Sequence, residues 1–293
     1  MGDFMSAKYP VISVTGSSGA GTSTAKAALE HIFRREHVTP AIIEGDCFHR
    51  FDRMEFRAKA IEFEAAGKRL SHFSDDANLF DKIAELFDSY QRTGRGMART
   101  YVHDDEEAKI YGVDAGKFTD WREVGADSDL LFYEGLHGGV EEVRPYVDLL
   151  LGVVPVVNLE WIQKIHRDTA MRGYSQEAVV DNILSRMHDY IHFITPQFTN
   201  TDINFQRVPL VDTSNPFIAR DVPTPDESMM VIRIRKPEKW GIDFPWLQAM
   251  LHDSFMSRRN TLVVPASKFS LAMELILTPI VHALLEKRRT VRG

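Results

Sequence analysis

Cysteine is nearly missing from this chain: among 293 residues there is one, Cys47. A single thiol cannot close an intramolecular disulfide, and no Cys/His spacing suits zinc. A disulfide scaffold and a zinc module are therefore both excluded, and a reducing cytoplasm is the expected compartment. An excess of positive charge is missing too. The formal net charge is −7, which argues against a general nucleic-acid binder, since that needs a basic face. A local cationic pocket for a phosphorylated small molecule stays open. Long hydrophobic runs are scarce: LLLGVVPVVNL is too short and proline-interrupted to span a bilayer. The N-terminal MGDFMSAKYPVISV has no charged region followed by a long apolar stretch, so no signal peptide is expected. There is no internal repeat and no low-complexity linker. Hydrophobic residues make up 44%, enough for the core of one large α/β domain.

A further absence is sharper. GSSGAGTS, residues 16–23, has the glycine spacing of a phosphate-binding P-loop, but Thr22 stands where that loop carries its lysine. Gly16, Gly21 and Ser23 fit the pattern. The run YPVISVTG before it reads as a buried strand. The stretch 22–37 after it reads as a helix with Ala25, Leu29, Ile32 and Phe33 on one face. Such a loop, Gly16, Ser17, Ser18, Gly19, Ala20, Gly21, Thr22, Ser23 and Thr24, turns successive N–H groups towards phosphate oxygens. The helix N-terminus adds partial positive charge, and Ser23 offers a hydroxyl to Mg²⁺. What is lost is the cation that neutralises the β and γ phosphates. The plainer reading is a Gly/Ser-rich turn between strand and helix.

Strand–helix alternation predicts an α/β fold with a largely parallel sheet. Buried strands are expected at 41–46, 130–135 and within 147–157. Amphipathic helices are expected near 52–66 and 77–92, and long loops over 94–128. Residues 158–192 are helical again. Period-2 patterning at 203–209 and 229–235 predicts added antiparallel strands. TLVVP (261–265) follows as a strand and 267–289 as a long helix. One domain over 1–293 is the simpler organisation.

The missing charge has candidate replacements in KIHRDTAMRGY, residues 164–174. Lys164 and Arg167 are three apart and share a helix face; Arg172 stands just before Gly173, and Arg186 lies further on. A helical lid carrying these cations would neutralise the phosphates only when closed, coupling charge to water exclusion. A solvated basic helix face is the alternative. Ligands of open α/β sheets bind beyond the C-terminal strand ends, and two acids stand there. Asp46 follows AIIEG and suits a base that accepts a hydroxyl proton, beside His49, Arg50 and Arg53. Glu134 follows LLFY and suits the metal side. Asp46 as a helix cap, and Glu44 as a rival at the same strand end, stay open.

Together GSSGAGTS, EGDCFHRFDR, TYVHDDEEA, FYEGLHGG, NLEWIQKIHRD, RGY, QFTNTDINFQRVP and VDTSNPFIAR resemble the phosphoribulokinase family in its short proteobacterial type, over nearly the whole chain. In that type threonine in place of the loop lysine is itself the rule. The resemblance implies a P-loop NTPase-like α/β fold: a mostly parallel mixed sheet flanked by helices, with antiparallel strands added in the C-terminal third and a helical lid near 158–192. It implies ATP-dependent phosphorylation, with Mg²⁺, of the 1-hydroxyl of D-ribulose 5-phosphate to ribulose 1,5-bisphosphate, the CO₂ acceptor of the Calvin cycle. Asp46 becomes the general base and Glu134 the Walker-B-like acid. His49, Arg53, Tyr101 and His103 bind the sugar phosphate. Lys164, Arg167 and Arg172 lie over the phosphates, with Asp168 a further active-site acid. The resemblance also implies a homo-oligomer, often an octamer, activated by NADH and inhibited by AMP. Arg35, Arg233, Arg235 and Arg258 are candidate effector contacts. The rival readings are another small-molecule kinase, of uridine or pantothenate type, and a decayed kinase serving as a nucleotide sensor.

Overall fold

The computed structural model of the chain describes residues 9–17, 21–154 and 156–292. Alternate residues of its three central strands feed two different cores, as the period of two along a strand requires. In β1 (Val11–Gly16), Ile12 and Val14 face one core and Val11 the other. The long helix α1 (Thr22–Arg35) follows, and Ala25, Leu29, Ile32 and Phe33 are buried as the periodicity predicts. β2 (Pro40–Glu44) comes next, then a 3₁₀ turn at Gly45–Phe48, α2 (Arg53–Ala65) and α3 (Phe80–Thr93). Asp52 caps α2 through a reciprocal capping box with Glu55.

The stretch 94–128, expected as loops, contains real elements. β3 (Gly96–Ala98) pairs antiparallel with β4 (Arg122–Val124), and α4 (Asp105–Tyr111) lies between them. Three-residue strands are too short to leave a periodic signal. β5 (Leu130–Gly135) and β6 (Leu149–Val154) again split their side chains: Leu130, Phe132, Leu149 and Leu151 face the first core, Leu131, Tyr133 and Leu150 the second. Then come α5 (Val157–Arg172), α6 (Gln176–Ser185), α7 (Met187–Asp189), a π-helical turn Tyr190–Ile194 and α8 (Gln197–Asn200). β7 (Ile203–Pro209), β8 (Ser228–Ile234), α9 (Phe244–Met250), β9 (Phe255–Arg258), β10 (Thr261–Pro265) and α10 (Phe269–Arg292) complete the chain.

The main sheet has eight strands in the order β2-β5-β1-β6-β7-β8-β10-β9. β2, β5, β1, β6 and β7 are parallel, and β8, β10 and β9 continue antiparallel. Four expectations need correction. β2 is an edge strand rather than a buried one, with Ile42 45% exposed. β7 is parallel to β6 on one side and antiparallel to β8 on the other, so it is the turning point rather than one of the added antiparallel strands. α2, expected to be amphipathic, buries none of its residues. The segment 266–288 is long and apolar enough to cross a membrane, which no run of the sequence was expected to be. Half of that segment is buried inside the protein: Ala272, Met273, Ile276, Leu277, Ile280 and Val281 pack in the core shared with α1 and the sheet.

Candidate active site

The C-terminal ends of β1, β2 and β5 meet side by side, and each delivers one part of the site. β1 runs into the glycine-rich loop. Gly21, with φ +102°, adopts the left-handed conformation that glycine alone takes at no cost, and from it α1 begins. Its first turn holds Thr22, Ser23 and Thr24 and contains no acidic residue to compete for an anion. Ser18, Gly19 and Ala20 lie outside the described residues. Beside the loop, Ser17 is buried next to Glu160 of α5 and the Tyr190 hydroxyl, which donates to Glu160 Oε2 at 2.9 Å. Burial raises the Glu160 pKa, and those hydroxyls oppose the rise.

β2 and β5 come together through two glycines. A Cβ on Gly45 would stand 2.6 Å from the Tyr133 hydroxyl and 2.9 Å from Gly135 Cα. This close approach sets Asp46 beside Glu134. Glu134 pairs in register with Glu44 across the strands and with Val14 of β1. Burial raises the Glu134 pKa. The neighbouring Thr22 hydroxyl and the Lys26 ammonium pull it down, while the negative charges of Glu44 and Asp46 push it up. Lys26 itself pairs with Glu44, so that rival acid already has a cation. Hard oxygen donors at Ser23 and Glu134 suit Mg²⁺, which keeps several waters and takes few protein ligands.

The Gly45–Phe48 turn carries the base candidate. Asp46 Oδ1 lies 3.2 Å from His49 Nε2, and His49 Nδ1 lies 2.8 Å from Asn78 Oδ1. The Asp46 side chain keeps 44% of its accessible surface. Burial would raise its pKa. The hydrogen bond and charge of His49 outweigh that, with help from His103 and His72, and lower it to about 2. Burial works against protonation of His49, but its bonds to Asp46 and Asn78 win and its pKa is raised. In the neighbouring His72 and His137 burial wins instead, even though His137 Nε2 lies 3.0 Å from the His72 carbonyl, and lowers them to about 3 and about 4.

Next to this turn stands a small platform. Arg53 Nη2 donates to the His103 carbonyl at 2.8 Å, and the Tyr101 and His103 rings lie 4.9 Å apart. His49, Arg53, Tyr101 and His103, scattered over fifty residues of sequence, are thus gathered at one place. Arg50, also considered from sequence, turns away to bond the carbonyls of Asp76 and Asn78. On α5, Asp168 is the hub. Lys164 Nζ is 2.6 Å from its Oδ2 and Arg167 Nε 3.1 Å from its Oδ1. The half-buried Arg186 guanidinium feels the same carboxylate. Glu160 and Asp189 also face these cations, so acids and bases are interleaved here. The backbone of Arg172 ends α5, and its side chain is outside the described residues.

A cavity of about 350 Å³ opens on the other side of β1 from Asp46, lined by Gly21, Thr24, Val153, Met230, Phe269 and Ser270 among others. It has apolar walls beside the glycine-rich loop, and no local motif announced it. Glu160, Asn78 and His72 were also missed, because only the folded chain brings them to the loop and the base. A larger open groove, about 1270 Å³, lies between α3 and the 139–148 segment and contains none of the residues expected in the site. Of the four candidate effector arginines, Arg35 and Arg233 bond within the chain through their side chains, while Arg235 and Arg258 are exposed. Arg35 bonds Glu274 and Thr278 of α10, and Arg233 donates to the Phe198 carbonyl. The Arg235 amide bonds the Asp202 carbonyl, and Arg258 registers against Thr261 on the edge strand β9.

The chain is similar to known proteins. The chain is 59% identical over 288 residues to a phosphoribulokinase of Sinorhizobium medicae, covering 97% of this chain and 99% of that one. It is 57% identical over 290 residues to the chromosomal phosphoribulokinase of Cupriavidus necator, with the same coverage. The solved structure of phosphoribulokinase from Rhodobacter spheroides superposes with a TM-score of 0.87 at 55% identity, covering 97% of this chain and 99% of the other. Residues 11–214 match the family model for the phosphoribulokinase / uridine kinase family. The glycine-rich loop, the strand-end acids and the basic residues of α5 all fall within that span, and the chain belongs to the phosphoribulokinase / uridine kinase family.

Proposed function

We propose that this chain is an ATP-dependent sugar-phosphate kinase that transfers the γ-phosphoryl group of ATP to the 1-hydroxyl of D-ribulose 5-phosphate. The observation that carries this is the placement of the Asp46–His49 pair between the Arg53/Tyr101/His103 platform and the glycine-rich loop. An acceptor whose phosphate sits on the platform offers its far hydroxyl to Asp46. That oxygen forms the new P–O bond while the bond from the γ-phosphorus to the β–γ bridging oxygen breaks, and its electron pair leaves with ADP. The hydroxyl proton passes to an Asp46 oxygen. A carboxylate with a pKa of about 2 is a weak base. A loose transition state needs little basicity, because positioning and charge stabilisation carry phosphoryl transfer. The proton therefore moves late, and His49 holds the carboxylate aimed throughout.

Mg²⁺ would be held by Ser23 and Glu134, and when bound it neutralises phosphate charge. Lys164, Arg167 and Arg172 take over the task of the absent loop lysine, with Asp168 fixing the first two and Arg186 adding charge behind them. The cavity beside Gly21 and Thr24 takes the nucleoside of ATP. We read residues 1–293 as one kinase domain with 158–192 as its lid. We place the enzyme in the cytoplasm as a homo-oligomer, octameric by family likeness, with NADH as activator and AMP as inhibitor. Arg35, Arg233, Arg235 and Arg258 are their candidate contacts. The test of the reaction is ³¹P NMR of the product after incubation with Mg²⁺-ATP and D-ribulose 5-phosphate. Two phosphomonoester signals on one sugar support the reading; an unchanged sugar phosphate contradicts it.

A further inference from the structure

Between the base turn and the phosphate platform lies a side chain that the reaction as described leaves without a role. Arg99 Nε donates to the Cys47 carbonyl at 3.0 Å and Nη2 to the His49 carbonyl at 2.6 Å. These carbonyls flank the turn just after Asp46. The same guanidinium lies 3.6 Å from the Phe118 ring centroid and 4.9 Å from that of Trp121. Trp121 in turn contacts the fully buried Phe48 of the base turn, with ring centroids 5.8 Å apart. Phe118 contacts Tyr101 of the platform at 5.2 Å. A continuous chain of contacts thus runs from Phe48 through Trp121, Arg99 and Phe118 to Tyr101, with the guanidinium at its centre. The backbone reinforces it: the Thr119 amide bonds the Thr100 carbonyl, and the Arg53 amide bonds the Gly116 carbonyl.

We propose that Arg99 is a positioning residue that fixes the distance between the proton-accepting Asp46 and the site for the acceptor's phosphate. Only a planar fork both serves two carbonyls from different nitrogens and stacks flat on aromatic rings; an ammonium does one or the other. The sugar phosphate spans these two points, so the clamp sets whether its hydroxyl arrives at the carboxylate. Displacement of about 1 Å at a reacting centre costs about 10²-fold in rate.

The inference rests on the kinase reading above, and the experiment separates the two. Arg99→Lys keeps charge and stem and is compared with wild type for kcat, both KM values and thermal midpoint. Arg99→Ala is assayed with and without guanidinium at sub-denaturing concentration. The expected result is a kcat lower by about 10²-fold in Arg99→Lys, a raised KM for ribulose 5-phosphate, an unchanged KM for ATP, and partial recovery of kcat in Arg99→Ala on adding guanidinium. Wild-type kcat in Arg99→Lys overturns the inference while leaving the kinase reading intact. So does a loss that tracks only a lower folded fraction. No turnover of ribulose 5-phosphate by the wild-type chain overturns both.

Discussion

Asp46 and His49 face each other across 3.2 Å within one turn of 3₁₀ helix, and Asn78 fixes the far side of the imidazole. The pair charges itself: the carboxylate falls to about 2 and the imidazole rises above its ordinary value. An ionised acceptor for the hydroxyl proton is therefore present throughout the neutral range. Asp46→Asn keeps shape and loses the acceptor. Turnover should fall by about 10²–10⁴-fold with ATP affinity unchanged, measured by steady-state kinetics beside calorimetric titration of ATP. Near-normal turnover would remove Asp46 from the base role.

The cations around Asp168 should matter more than the residue at loop position 22. Lys164→Met removes one positive charge from the Asp168 cluster and should lower kcat by about 10²–10³-fold, the range for losing a group that stabilises transition-state charge. Thr22→Lys should not raise kcat. Thr22 is buried beside Glu134, and Lys26 already supplies a cation there. A large gain in kcat from Thr22→Lys at unchanged KM would show a loop short of charge.

Gly45→Ala tests the meeting of β2 and β5. The added methyl meets the Tyr133 hydroxyl and the Gly135 backbone, and the buried phenol has nowhere to go. Overpacking of this kind costs about 1–3 kcal/mol, and it separates Asp46 from Glu134. Both the thermal midpoint and kcat should drop, and a variant with wild-type values of each would show that the strands can part without consequence.

Acid stability should depend on His72 and His137. Both stay neutral in the fold, lowered by burial from 6.5 to about 3 and about 4. On unfolding they take up protons once the pH is below 6.5. Their stabilisation is therefore complete above 6.5 and is lost as the pH falls towards 4. His49 works in the opposite sense: raised above 6.5 by Asp46, it adds stability below 6.5 that is lost as pH rises through its folded value. His137→Gln removes one titrating group and should flatten the fall in thermal midpoint between pH 6.5 and 4. An unchanged slope would show that His137 does not stay neutral.

The elements that build the sheet were legible because their signals are local. The apolar runs at β1, β5 and β6 and the face of α1 survive almost to the residue. β3, β4 and β9 were not, since three or four residues carry too little pattern. The edge position of β2 was also hidden, because a buried parallel strand and an edge strand read alike when short. In the candidate site, Asp46, Glu134, Lys164 and Asp168 sit on recognisable features: a strand end or a basic helix. Asn78, Glu160 and Arg99 act across 29 to 50 or more residues of chain, and no spacing rule reaches that far.

The most direct measurement is ADP release from Mg²⁺-ATP with D-ribulose 5-phosphate, with uridine and pantothenate in parallel and with NADH present or absent. Release with the sugar phosphate alone is the expected result, and stimulation by NADH would add the proposed regulation. Measurable ATP binding without turnover of any acceptor would contradict the reading and leave a nucleotide sensor in its place.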